Sequence, residues 1–125
     1  MKLAECFFTP QTETVPRHLW IVVSDPTRDA RVAVVNLSTD PGPENPVPAD
    51  AQVAPKEHPA LSRPSFIRCD QAKVWQAPDL DKLLATKTLS ATKPATPALL
   101  AKARRVLATS RHTPIEVKAL LKTQE

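Results

Sequence analysis

Two apolar runs in the first third of the chain have the composition of β-strands. Leu19 to Val23 and Val32 to Leu37 are rich in β-branched residues, and Asp25 to Asp29 between them is turn-like. Both runs are apolar at successive positions, which is typical of strands covered on both faces, as in a small closed barrel or a sheet with a helix across it. The pattern predicts a buried hairpin, and Leu3 to Phe8 is a candidate for a further strand.

The middle of the chain has a different pattern, because proline recurs seven times in residues 40–64. Proline removes ladder donors and interrupts helices, which argues against a sizeable helix or a central strand in this segment. The segment is therefore predicted to be a long restrained loop with at most a short edge strand at Ala51 to Val53. Loops of this length in a compact domain are often either functional or disordered.

The last part of the chain changes from strand patterns to helical ones. Ser65 to Gln71 and Ala72 to Gln76 are predicted strands, and Pro78 to Leu84 is long enough for one or two helical turns. Thr96 followed by Pro97 predicts the start of an amphipathic helix. A second short helix is predicted after Thr113-Pro114-Ile115-Glu116, which has the capping-box spacing.

Length and composition fit one domain over residues 1–125, mainly β with C-terminal helices from about residue 97. The 125 residues are 42% apolar, which is enough for a single core without disulfides. Nothing near Met1 has the pattern of a signal peptide, and no apolar run approaches membrane-spanning length. We therefore expect a cytoplasmic protein with no membrane contact. Cys6 and Cys69 can pair in principle, but this context favours two free thiols packed as small hydrophobes.

The net charge of +4 is concentrated at the C-terminal end. There is no acidic residue between Asp81 and Glu116, an interval that holds seven lysines and arginines. Such a stretch can attract phosphate or an acidic partner chain, and it is equally typical of a solvated helix face. Three scattered histidines and two distant cysteines make no zinc signature, so no metal or cofactor is expected.

The best candidate for chemistry is the predicted strand Ser65 to Gln71. Alternation places Arg68 and Asp70 on one face, with Cys69 turned toward the core. A guanidinium can grip phosphate oxygens while a neighbouring carboxylate takes or orients a proton. The alternative is a simple surface ion pair, which contributes about 0–1 kcal/mol.

The context of this pair resembles a known family. Ser65 to Val74, with its run Arg68-Cys69-Asp70-Gln71, is similar to the strand that carries the active-site arginine and aspartate of the PemK/MazF toxin ribonucleases. Pro16 to Ser24 and Val34 to Thr39 resemble two further strands in the order of that family, and the helix from Pro97 lies where the family has one.

This resemblance implies a small SH3-like barrel with flanking helices, usually a homodimer, that is held in check by a cognate antitoxin protein. It also implies metal-independent cutting of single-stranded RNA by attack of the ribose 2′-hydroxyl on the adjacent phosphate. Arg68 would stabilise the phosphorane and Asp70 would assist proton transfer, with His58 and His18 as further candidate acids or bases. The residues expected to contact RNA are Arg17, Ser38, Thr39, Ser65 and Gln71.

One departure from the family supports an alternative function. The family has an early glycine-rich loop that is absent from this chain, whose single glycine is Gly42. A barrel that has lost catalysis and binds a protein or nucleic acid is therefore the second hypothesis. His112 is expected at the surface, while Trp20 and Trp75 are expected in the core or at a dimer contact, with base stacking as the alternative.

Overall fold

The computed structural model describes residues 1–13 and 17–124. In this part of the chain the strands are β1 (Cys6–Phe8), β2 (Leu19–Val22), β3 (Arg31–Thr39), β4 (Gln52–Val53), β5 (Ser65–Ile67), β6 (Lys73–Gln76) and β7 (Ser90–Thr92). The helices are α1 (Ala77–Ala85), α2 (Pro97–Thr109) and α3 (Ile115–Lys122), and short 3-10 turns cover Ala49–Ala51, Pro55–Glu57 and Cys69–Gln71. Pro16, the first residue of one family-like segment, lies outside the described residues.

The strands form one antiparallel sheet that is built around β3. Its order is β4-β5-β3-β2-β1-β7, and the path does not close. One edge of β3 pairs with β2, while the other edge pairs with β6 along its first half and with β5 along its last three residues. The predicted β core is confirmed, and so is the predicted hairpin of β2 and β3. Pro78 to Leu84, predicted to form one or two helical turns, lies within the nine-residue helix α1. With three helices beside the sheet, the architecture is mixed α/β rather than mainly β.

Each face of the sheet has its own hydrophobic cluster. Val35 and Leu37 point toward helices α2 and α3 and pack in the larger cluster with Leu107. Val34, one residue along β3, points to the opposite face and packs with Leu80 of α1. The successive apolar positions of β2 and β3 are therefore buried on both sides, as their sequence predicted.

The two C-terminal helices begin in different ways. The Thr96 side chain accepts a hydrogen bond from the Leu99 backbone N–H at 3.1 Å, and Pro97 is the first helical residue, so the predicted N-cap of α2 is confirmed. The capping box predicted for α3 is wrong, because the N-cap of this helix is Pro114 and no side chain caps it. Packing of Val117 and Leu120 against the larger cluster, rather than a cap, stabilises α3.

Part of the basic stretch near the C-terminus has a structural role. Lys102 pairs with Glu57, and its Nζ also donates to the Gln52 carbonyl at 3.0 Å. Arg104 donates to the Val23 carbonyl at 2.7 Å. These two cations tie α2 to the proline-rich segment and to the end of β2, while Arg105 is left exposed on the outer face.

The proline-rich segment is packed against the body of the protein. Its short strand β4 pairs with β5, which confirms the predicted edge strand. Burial alone would raise the pKa of Glu57, but hydrogen bonds from Lys102 and from the Ala54 backbone outweigh it and lower that pKa. The segment is thus held at several points along its length.

Three further features complete the fold. The sequence analysis did not predict β7, which pairs with β1.

Cys6 and Cys69 are both free and buried, as expected, and burial raises the pKa of Cys6 to about 12. No helix within residues 1–13 and 17–124 is long and apolar enough to cross a membrane.

Candidate functional site

Arg68 and Asp70 lie where β5 ends and a 3-10 turn begins. The predicted strand to Gln71 is wrong beyond Ile67, because Cys69–Gln71 forms the turn. The Arg68 N–H still bonds the Asn36 carbonyl at 3.0 Å, which fixes the turn against β3. The turn buries Cys69 and leaves the side chains on either side of it adjacent, so the two residues are neighbours, as predicted, for a different geometrical reason.

The two charged side chains form a bidentate ion pair. Nε of Arg68 donates to Oδ1 of Asp70, and Nη2 donates to Oδ2, both at 2.9 Å. The Asp70 side chain is 52% exposed and that of Arg68 is 29% exposed, so the pair is open to solvent and to a ligand. The guanidinium also lies over the Phe66 ring, 5.7 Å from its centroid. Nη1 makes no hydrogen bond within the described residues and is available to an incoming oxygen anion.

Arg68 and Asp70 shift each other's pKa in opposite directions. The hydrogen bond from Arg68 lowers the pKa of Asp70, burial opposes this, and the nearby His112 adds to the lowering. The same hydrogen bond raises the pKa of Arg68. His112 was expected only at the surface, and it lies in the connection between α2 and α3. The fold therefore brings an imidazole, a carboxylate and a guanidinium together.

A cavity of about 690 Å³ adjoins this group. It lies between the proline-rich segment, β5 and the end of α2, and Asp70 and His112 both line it. Its apolar wall includes Val47, Phe66 and Val106, and its other carboxylates are Glu44 and Asp50. Among the described residues, neither a lysine nor an arginine lines it.

His58 has a structural position instead of the predicted catalytic one. It is 1% exposed, its Nε2 bonds the Lys93 carbonyl at 2.8 Å, and its Nδ1 accepts from the Ala60 N–H at 3.0 Å. Both ring nitrogens are therefore taken up by backbone groups. This geometry argues against proton transfer by His58 at Asp70.

The other predicted site residues lie at three separate positions on the sheet. Ser38 is buried on the face of β3 that looks toward Phe66, and Gln71 reaches the same face, where its Oε1 accepts from Asn36 at 2.8 Å. His18 immediately precedes β2, at the register position opposite Ser38.

Thr39 and Ser65 pair with each other across β3 and β5, on the opposite side of the sheet from Ser38. Ser65 is buried, and its hydroxyl donates to the Arg63 carbonyl at 3.1 Å. Arg17 stacks over the Phe8 ring, 3.7 Å from its centroid. The structure thus places Ser38 and Gln71 with Arg68, and separates Thr39, Ser65 and Arg17 from them.

Replacing Arg68 by glutamine should raise the pKa of Asp70, because the bond that favours its carboxylate is lost. NMR titration of the side-chain carboxyl carbon measures this change directly. Arg31→Gln is the matched control, since Arg31 grips Asp29 with the same bidentate geometry. It should raise the pKa of Asp29 and leave Asp70 unchanged. An unchanged Asp70 titration in the Arg68 variant would contradict the ion pair.

A scan of the chain against models of known protein families gives no match, and a search of curated proteins gives none either. Motif and geometry together therefore carry the functional argument. Among residues 1–13 and 17–124, no three His, Cys, Asp or Glu side chains come together as a metal site requires.

Proposed function

We propose that this protein is a PemK/MazF-like endoribonuclease that cuts single-stranded RNA at Arg68 and Asp70. The observation that carries the proposal is the exposed bidentate pair with a free guanidinium nitrogen, beside His112 and at the edge of a cavity. A central β3 shared by β2, β5 and β6 supports the interpretation of the sheet as a small, incompletely closed SH3-like barrel. In this proposal the protein acts in the cytoplasm as a homodimer and is neutralised by an antitoxin.

The residues suit in-line cleavage without a covalent enzyme intermediate. The scissile phosphate binds Arg68 and competes with Asp70 for the guanidinium, which releases the carboxylate. The 2′-oxygen attacks phosphorus and loses its proton to Asp70 or His112, while the bond to the 5′-oxygen breaks and that oxygen takes up a proton from water. The products are a 2′,3′-cyclic phosphate and a 5′-hydroxyl. Arg68 stabilises the charge of the phosphorane, where preorganised donors have their largest effect.

The test is incubation of the purified protein with single-stranded RNA. We expect fragments ending in 2′,3′-cyclic phosphate, formed at an equal rate with and without a chelator. The same sequence made as DNA should stay intact because it has no 2′-hydroxyl. Intact RNA at high enzyme concentration, or cleavage that also cuts the DNA, would contradict the proposal.

The cavity favours a second function, in which the domain binds a partner protein. Glu44, Asp50 and Asp70 line a largely apolar space that has no lysine or arginine among its described lining residues. This lining disfavours a phosphate backbone and suits an apolar peptide carrying a cation. In this case the Arg68 pair is a surface ion pair.

A peptide of alternating lysine and leucine tests the second function. Its binding should weaken about tenfold in Glu44→Gln/Asp50→Gln, because each carboxylate that faces a ligand cation contributes about 1 kcal/mol or less when partly solvated. Lys82→Gln, on the exposed face of α1, is the control and should have no effect. Equal affinity of the peptide for all three proteins would count against this function.

A further inference from the structure

The 3-10 turn after β5 is an insertion in the chain that pairs with one edge of β3. Ile67, the last residue of β5, lies opposite Leu37. Lys73, the first residue of β6, lies opposite Val34. Three steps along β3 therefore correspond to six steps along the other chain, and the extra residues form the turn Cys69–Gln71. Insertions in a strand re-aim side chains and are frequent next to active sites, but their register has to be held.

Asn36 lies in β3 where this insertion begins, and it contacts both ends of the turn. Its backbone carbonyl accepts from the Arg68 N–H at 3.0 Å. Its side-chain Nδ2 donates to Oε1 of Gln71 at 2.8 Å. Arg68 directly precedes the turn, and Gln71 is the last residue of the turn. One residue of β3 thus holds the segment that carries Asp70 from both sides.

The Asn36 side chain opposes the stability of the strand in which it lies. The residues of β3 directly before and after it are apolar, and Asn36 is 1% exposed. Its Oδ1 has no hydrogen-bond partner within residues 1–13 and 17–124. A buried unpartnered oxygen raises the free energy of the folded state, whereas a leucine here would add apolar burial. A residue that lowers stability in this way is typical of a functional constraint.

The turn does not need the Asn36 side chain in order to form. The Gln71 N–H bonds the Arg68 carbonyl at 3.0 Å, and the Ala72 N–H bonds the Cys69 carbonyl at 3.3 Å. Both bonds lie within the turn, so they leave its tilt relative to β3 unspecified. The bond from the Asn36 amide to Gln71 crosses from β3 to the far end of the turn and therefore limits this tilt.

We propose that Asn36 is a positioning residue that, through Gln71, sets the orientation of Arg68 and Asp70 for the reaction. Both charged side chains are carried by the segment that Asn36 holds, so a change in its tilt moves them relative to a bound phosphate. A displacement of about 1 Å can slow an enzymatic reaction about 10²-fold. The inference rests on the proposed ribonuclease function for its effect on rate, but not for its effect on the ion pair.

The experiment compares the wild-type protein with Asn36→Leu, which keeps the shape of the side chain and removes its hydrogen bond. RNA cleavage should slow about 10–100-fold. The variant should nevertheless melt at the wild-type temperature or above it, because the unpartnered oxygen is gone and the half-buried Gln71 can bond to water. A merely structural residue would lower the rate and the melting temperature together.

NMR titration of Asp70 gives a readout that needs no activity. The hydrogen bond from Arg68 lowers the pKa of Asp70 in the wild-type protein. In Asn36→Leu the pKa of Asp70 should rise, because a turn that is free to tilt holds this bond less firmly.

Gln71→Met removes the same contact from its other end. It should slow cleavage as Asn36→Leu does, and the double variant should be no slower than either single one, since all three lack the same bond. Gln76→Met is the matched control, because Gln76 is exposed at the end of β6 and its side chain does not cap α1. It should leave the cleavage rate and the Asp70 titration unchanged.

Two results would overturn the positioning role. One is an unchanged Asp70 titration in Asn36→Leu, and the other is a loss of rate that accompanies a lower melting temperature. If the wild-type protein cuts no RNA, the proposed function fails, and the Asp70 titration alone decides the positioning role. If the wild-type protein cuts RNA and Asn36→Leu cuts it at the full rate, this inference alone fails.

Discussion

Arg68→Ala should lower the rate of RNA cleavage by about 10²–10³-fold, the usual cost of removing one donor that stabilises a transition-state charge. Arg68 provides the two nitrogens that grip Asp70 and a third that is unengaged within the described residues. Alanine removes all of them but leaves the 3-10 turn, whose bonds are made by the backbone. The measurement is single-turnover cleavage of a labelled RNA, with melting temperature recorded in parallel.

The chain contains a matched control for this substitution. Arg31 and Asp29 form the same two-residue bidentate pair, on a part of the sheet that does not line the cavity. Arg31→Ala removes the same charge and the same type of ion pair, and it should change the rate by less than about twofold, as expected of a surface pair. If both variants lost the same fraction of the cleavage rate, Arg68 would contribute only its net charge.

His58→Ala should destabilise the fold by about 2–5 kcal/mol. This is the cost of a buried large-to-small substitution that also leaves two backbone groups without their hydrogen-bond partner. His58 bonds the Lys93 carbonyl and the Ala60 N–H, and so joins the proline-rich segment to the chain just after β7. Urea unfolding followed by tryptophan fluorescence gives the free energy of unfolding.

His112→Ala separates stability from chemistry. His112 is exposed, so this substitution should change the free energy of unfolding by less than about 0.5 kcal/mol while it slows cleavage. The expected pattern is thus a weakened fold for one histidine and a weakened reaction for the other. A fully stable but inactive His58→Ala would instead restore His58 as a candidate catalytic residue.

The sequence predicted the features that depend on contiguous residues. Leu19 to Val22 in β2 and Val32 to Val35 in β3 are apolar at every step, so their burial on both faces could be inferred without knowing their neighbours. The N-cap at Thr96 is equally local, because the Thr96 hydroxyl and the Leu99 N–H that it accepts from lie within one helical turn.

Features that depend on distant segments were missed. The approach of His112 to Asp70 requires the α2–α3 connection to return to the end of β5, and neither residue carries a local signal of this. The short strand β7 is defined by its pairing with β1, not by its composition. Thr113 and Glu116 had the right spacing for a cap, but Pro114 takes the N-cap position.

The proline-rich segment forms one wall of the cavity through residues such as Pro41, Val47 and Pro48. Ordering a flexible loop around a ligand costs about 1–2 kcal/mol for each residue that is fixed. Here the prolines restrict the free chain in advance, and His58 and Lys102 hold the segment in place. A molecule that enters the cavity therefore meets a surface that is already shaped, and its affinity reports direct contacts with little loss to induced ordering.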